Sequence, residues 1–195
     1  MRNVGAVILA AGGSSRFGQP KQLLRFRGET LIRRVVRAAE EADCEPIVAV
    51  VGKNADEIRQ ELSGTRASLI ENAEWQRGIG SSIRCGVHEI AGSTDAAILL
   101  TCDQPRVDRN VIARLIAAQK ESGKPIVASS YANTRGVPAL FQRSCFKALL
   151  ALPDNLGAKK IIEEQAGDVA SMTFEEGAID IDTPEDFERL KENHD

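Results

Sequence analysis

The sequence predicts one α/β domain across residues 1–195, in three layers, with a mostly parallel sheet covered by helices on both faces. Three observations predict it. Apolar, branched runs alternate with amphipathic stretches through most of the chain, and the strand candidates are almost continuously apolar, as strands buried on both faces are. No repeat, low-complexity tract or compositional break marks a linker, and 195 residues suit one domain with a sizeable core.

In order, Val4–Leu9, Pro46–Val51, Ala67–Ile70, Ala96–Thr101 and Pro125–Ala128 read as buried strands. Between them, Thr30–Ala42, Asn54–Leu62, Ser81–Ile90 and Asp108–Ser122 carry apolar residues at helical spacing. In the first of these helices Leu31, Val35, Ala38, Ala39 and Ala42 mark one face. Asp108 stands where an N-cap belongs, and Gly123 followed by Pro125 forms a stop. Beyond Tyr131 the pattern loosens. Strands are expected at Val137–Phe141, Val169–Thr173 and Ala178–Ile181, and helices near Arg143–Ala151, Ala158–Gln165 and Pro184–Glu192.

Composition removes several classes of function. With 43% hydrophobic residues, 27% charged residues and a net charge of -3, nothing points to a nucleic-acid or anionic-membrane partner. The apolar runs suit strands and are too short to span a bilayer. Strand-like sequence follows Arg2 directly, so the expected compartment is the cytoplasm. The 4 cysteines are widely spaced and imply neither a zinc knuckle nor a disulfide framework. With 2 histidines there is almost no material for a histidine metal site or a Ser-His-Asp triad.

A sheet of this kind binds ligands beyond the carboxyl ends of its strands, so polar clusters that follow strands are the candidates. The first strand runs into Leu9-Ala10-Ala11-Gly12-Gly13, with Arg16 and Lys21 shortly after. Small residues let the backbone approach a phosphate, and two cations offset polyphosphate charge. The loop is not a P-loop, because Gln19-Pro20 follows Gly18, and it holds no G-x-G-x-x-G. A plain flexible turn with solvated charges remains the alternative.

A second cluster runs from Asn72 through the single tryptophan, Trp75, to Gly80, Ser81 and Ser82. Read alone, either serine serves equally as an N-cap and Trp75 as a packing residue. Asp103 follows the strand Ala96–Thr101 and suits either a metal ligand or a turn cap. Asp180 and Asp182, two apart in an extended stretch, project together; alternatively Asp182 or Thr183 caps a helix beginning at Pro184.

Leu-Ala-Ala-Gly-x-Ser-x-Arg-Phe-Gly-x-x-Lys, starting at Leu9, resembles the signature of the MobA-like nucleotidyltransferases, and more narrowly of the molybdenum cofactor cytidylyltransferases. The strings around Asn72, Asp103 and Asp182 are similar to further family motifs, N-x-x-W-x-x-G-x-x-S-S, D-Q-P and D-I-D-T-P-E-D, in family order. The resemblance implies a Rossmann-like sheet of the nucleotide-diphosphosugar transferase type. It also implies a Mg2+-dependent enzyme that moves CMP from CTP to molybdopterin or its molybdenum form and releases pyrophosphate.

Under that resemblance Leu9, Ala10, Ala11, Gly12 and Gly13 wrap the nucleoside triphosphate while Arg16 and Lys21 contact its phosphates. Asn72, Gly80, Ser81 and Ser82 contact the nucleotide, and Gly78 and Gly80 admit it near the backbone. Asp103, with Asp180 or Asp182, holds the metal; Arg16, Lys21 and Asp103 form the catalytic set. Arg135, Gly136, Pro138 and Lys159 border the acceptor, although Lys159 replaces a family arginine and Pro153 a glycine. Ala11 favours the cytidylyl branch over the guanylyl branch, whose loop reads L-A-G-G. A molybdenum enzyme or its chaperone is a further expected partner. The alternatives are transfer to a sugar or polyol phosphate, a nicotinamide-dependent reductase as a few relatives are described to be, and a non-catalytic accessory protein.

Overall fold

A computed structural model describes residues 3–13 and 17–192. The expected alternation is present: β1 (Val4–Ala10), α1 (Leu31–Glu41), β4 (Ile47–Val51), α2 (Ala55–Glu61), β5 (Ala67–Glu71), α3 (Ile79–Ile90) and β6 (Ala96–Thr101). There follow α4 (Arg109–Ser122), β7 (Ile126–Tyr131), β8 (Thr134–Gln142), α5 (Phe146–Leu150), α6 (Ala158–Glu164), β9 (Val169–Thr173) and α7 (Pro184–Glu192). A small hairpin, β2 (Arg25–Phe26) with β3 (Glu29–Thr30), sits apart from the main sheet. Its Arg27-Gly28 turn has φ of 53° and 80°, the two positive values that suit a two-residue hairpin.

The seven-stranded sheet has the order β5-β4-β1-β6-β8-β7-β9. β8 runs antiparallel to both neighbours, and every other adjacent pair is parallel. Side-chain alternation along the strands divides the interior in two. Ala6, Ile8 and Ala10 of β1 face a core with α1, α2 and α4, while Val7 faces a second core with α3, α5 and α6. Three layers result, as the sequence predicts. Caps hold where expected: the Asp108 carboxylate accepts from Val111 N at 3.0 Å, and Gly123 closes α4 at φ 66°. No described helix is long and apolar enough to cross a membrane.

Connectivity places the site. The chain leaves β1 towards β4 and β5 on one side, then returns to β6 on the other side of β1. The connections diverge at the β1/β6 pair, and a crevice opens beyond their carboxyl ends, where Leu9 pairs with Thr101.

One expected strand is absent. Residues Ala178–Ile181 form the end of a short 3-10 turn (Glu175–Ala178) followed by irregular chain. The reason is a third, smaller core of Phe17, Leu24, Phe26, Leu31, Ile181, Phe187 and Leu190. Ile181 is fully buried there, and its amide donates to the Asp103 carbonyl at 2.9 Å instead of joining a ladder. Burial of one isoleucine, worth about 1.5–3 kcal/mol, outweighs the strand-like alternation around it.

Candidate active site

A cleft of about 330 Å³ occupies the β1/β6 crevice. Its walls include Leu9, Ala11 and Gly12 from β1 and its loop, Lys21 and Gln22, then Trp75, Gln76, Gly78, Ile79 and Ser82, and Thr101 to Asp103 from the end of β6 and its loop. Such a volume lies within the range of ligand pockets, roughly 300–1,000 Å³. These walls are the carboxyl ends of β1 and β6, the chain that follows β1, β5 and β6, and the first turn of α3.

Lys21 lies on a single 3-10 turn, Lys21–Leu23. Its ammonium donates to Asp103 Oδ2 at 2.7 Å, to Asp182 Oδ1 at 3.2 Å and to the Ile181 carbonyl at 3.3 Å. Burial opposes the charged form of Lys21, but Asp103 and then Asp182 outweigh it, and the ammonium is held above its ordinary pKa. The third core makes this meeting possible. Phe17 and Leu24 flank Lys21 in sequence, Ile181 lies between Asp180 and Asp182, and all three apolar residues share that core.

Asp182 reaches inward to Lys21, and the cap of the next helix is made by other side chains. Thr183 Oγ1 accepts from Asp186 N at 3.2 Å, and the Asp186 carboxylate accepts from Thr183 N at 2.9 Å, a reciprocal cap at the start of α7. Asp180 lines an adjoining depression with Arg106 and Arg189. Its carboxyl meets solvent on one side and protein on the other. Partial burial, then the charges of Asp103 and Asp182, push it up to about 6. Asp180 and Asp182 therefore belong to one acidic field, but only Asp182 shares Lys21 with Asp103.

These residues fit a hard divalent cation. The donors are carboxylate oxygens, two of them already compensated by one ammonium. Mg2+ typically takes one or two carboxylates and fills its shell with water and substrate phosphate. Among the described residues no three Asp, Glu, His or Cys side chains form a cage for an ion by themselves.

The Asn72 cluster differs from expectation in its details. Asn72 is buried and donates through Nδ2 to Ser81 Oγ at 2.9 Å and Ser82 Oγ at 3.1 Å. Ser81 Oγ donates in turn to the Gly78 carbonyl at 2.8 Å, so Asn72 and Ser81 knit the turn together. Ser82 lines the cleft with its hydroxyl fixed as an acceptor from Asn72. Neither serine is the N-cap, since α3 begins at Ile79 after Gly78. Gly80 does not open space for a ligand either: a Cβ there would collide with the Pro153 carbonyl, and its amide donates to the Asp154 carbonyl at 2.8 Å. Gly78 faces the Asp154 backbone in the same way. Both glycines thus admit a neighbouring loop of the protein, and Gly78, unlike Gly80, also lines the cleft.

Around the mouth, a Cβ on Gly13 would come within 2.9 Å of the Trp75 ring, so the loop after β1 rests on that indole. Ala10 is buried and faces the first core, away from the cleft. Arg16 lies outside the described residues. On the acceptor side, Arg135 and Gly136 pair with Ser130 and Ser129 in the β7–β8 hairpin, and the Pro138 carbonyl accepts from Ser129 Oγ at 2.7 Å. Lys159 is exposed in the first turn of α6. None of these four lines the cleft.

Three residues contribute without having been singled out. Gln22, buried, donates to the Ala10 carbonyl at 2.9 Å and the Gly12 carbonyl at 2.7 Å. Gln104 donates to the Val137 and Gly177 carbonyls at 3.1 and 2.9 Å, linking β6 to the hairpin and the acidic segment. Asp154 binds Arg77 at 2.7 Å as well as Arg84, and these arginines hold its carboxyl below its ordinary pKa, Arg84 most strongly. An amide side chain next to the candidate Lys21 was the available signal for Gln22; pairs such as Arg77–Asp154 have no local trace.

A three-layer, mostly parallel sheet whose switch-point cleft joins a small-residue loop, a lysine and Asp103 has the architecture of an α/β nucleotide-binding domain. The chain belongs to the MobA-like NTP transferase domain family, whose model matches residues 6–169. It is 27% identical over 197 residues to the nicotine blue oxidoreductase of Paenarthrobacter nicotinovorans, covering 96% of each chain. It is 24% identical over 197 residues to the molybdenum cofactor cytidylyltransferase of Escherichia coli, covering 100% of this chain and 98% of that one. Rv0371c of Mycobacterium tuberculosis has the same fold, with a TM-score of 0.82 at 28% identity over 98% of this chain and 99% of the other. That protein has also been solved in complex with manganese (TM-score 0.78, 27% identity, 97% and 98% coverage).

Proposed function

We propose that the protein transfers CMP from CTP to a molybdopterin-type acceptor, using Mg2+ held by Asp103 and Asp182 with Asp180 beside them. The observation that supports this reading most is the Lys21 ammonium between two carboxylates in the switch-point cleft. Cationic and acidic groups meet there, as they must around a metal-bound triphosphate. An acceptor phosphate oxygen attacks the α-phosphorus, the bond from that phosphorus to the bridging oxygen of the β-phosphate breaks, and pyrophosphate leaves. The nucleophile is anionic at neutral pH, so no histidine base is needed. Lys21 moves its charge to the phosphates, Ser82 meets the nucleoside, and the loop from Leu9 to Gly13 excludes water from one side. A bound divalent cation supplies neutralisation of charge on the phosphate oxygens. Ala11 in the cleft wall and similarity to the Escherichia coli cytidylyltransferase favour CTP and this acceptor.

Similarity to nicotine blue oxidoreductase favours a second reading, a nicotinamide-dependent reductase. The two separate in one assay. With Mg2+, molybdopterin and each triphosphate in turn, pyrophosphate release is expected to be fastest with CTP. Oxidation of a reduced nicotinamide with no pyrophosphate release would replace the proposal, and pyrophosphate release only with a sugar or polyol phosphate would change the acceptor.

A further inference from the structure

We infer that Gln22 is a positioning residue for polyphosphate, acting through the peptide planes of the loop after β1. The inference rests on the reading of the cleft as a triphosphate site. The Gln22 side-chain amide uses its Nε2 to hold two carbonyl oxygens, those of Ala10 and Gly12, at 2.9 and 2.7 Å. These carbonyls are two residues apart on one loop and both turn to the same donor. A trans peptide plane points its N–H opposite to its C=O. Tying back the Ala10 and Gly12 oxygens therefore fixes the N–H groups of Ala11 and Gly13, which belong to the same two planes.

The electrostatic consequence concerns phosphate more than base or sugar. A carbonyl oxygen turned into the cleft repels an anion, whereas an ordered pair of backbone N–H groups attracts one. Ala11 and Gly12 line the cleft, so the orientation of these planes is felt by whatever binds there. Gln22 is 2% exposed, and its donors are committed to the loop, so it acts on the ligand through the backbone. It adjoins Lys21 on the same turn, so one short element sets both a cation and the loop dipoles.

The test is equilibrium binding, read by the fluorescence of Trp75, the single tryptophan and a wall of the cleft. Wild type, Gln22→Met and Gln22→Asn are titrated with cytidine, CMP, CDP and CTP in Mg2+, with thermal unfolding of each recorded. The expected result is a loss that grows with phosphate number: about tenfold or more for CTP in Gln22→Met, less for CDP and CMP, and none for cytidine. Gln22→Asn, whose shorter side chain keeps the donor, is expected to show the same gradient at smaller size and covers the case in which Gln22→Met does not fold. An equal loss for all four ligands, or no loss, would overturn the inference and leave the triphosphate reading standing. If wild-type affinity does not rise from cytidine to CTP, the triphosphate reading fails and this inference with it.

Discussion

The nucleotide side and the acceptor side of this molecule are built differently. Residues 9 to 103 contribute loops from three parallel strands, and these converge on one cleft because the strand order reverses at the parallel β1/β6 pair. Residues 131 to 160 contribute a hairpin and a helix start whose candidate groups lie outside that cleft, several already engaged in packing. The difference teaches that topology alone creates the first site, whereas the second depends on what is brought to it. Lys21, Asp103 and Asp182 should then be sensitive whatever the acceptor, and Lys159 only in its presence.

The largest effect is expected for Asp103→Asn, a loss of about 10²–10³-fold in pyrophosphate release in a variant that keeps the native fold by circular dichroism. Near-wild-type turnover would remove Asp103 from the chemistry and leave the nucleotide side without its acidic anchor. Lys21→Met should lower kcat/KM roughly 10- to 100-fold. Without the ammonium, Asp103 and Asp182 also repel, so its metal-free thermal midpoint should fall below wild type. A variant with normal kinetics would mean that Lys21 serves only as their counter-ion.

Asp180 provides a finer contrast. Its carboxyl, pushed up to about 6 from 3.8, binds a proton more readily in the folded chain than in the unfolded one. That stabilising contribution is complete below about pH 4 and is lost as pH rises through 6. At pH 7.5 in EDTA, Asp180→Asn should therefore raise the thermal midpoint, by a small amount because Asp180 is exposed and solvent screens its neighbours. Divalent-ion affinity in the wild type should weaken as pH falls through 6, with part of that dependence gone in the variant. A lower midpoint for Asp180→Asn would show that repulsion does not govern this carboxylate. The smallest effect belongs to Lys159→Ala: a few-fold rise in acceptor KM with CTP binding unchanged. A change in CTP binding would merge the two sides.

Much of this architecture was legible in the sequence because its signals are local. Continuous apolar runs such as Ile47–Val51 and capped helices such as Arg109–Ser122 announce themselves, and Asp103 follows its strand directly. The misreadings share one cause, a distant partner. Ala178–Ile181 alternates like a strand, yet Ile181 is taken by Phe17, Leu24 and Phe26, far away in sequence. Gly80 is small because the loop at Pro153 and Asp154 presses on it, and nothing near position 80 records that. Ser81 sits at a helix start but answers to Asn72. The Lys21–Asp182 pairing spans 161 residues and depends on the third core.

The most direct test of the central claim is a crystal structure with CTP and Mg2+ bound. The triphosphate is predicted to lie in the β1/β6 cleft along the loop from Leu9 to Gly13, with Lys21 on its phosphates and the metal between those phosphates and Asp103 with Asp182. Density for CTP at any other place, with the lysine still bridging both carboxylates, would contradict the account.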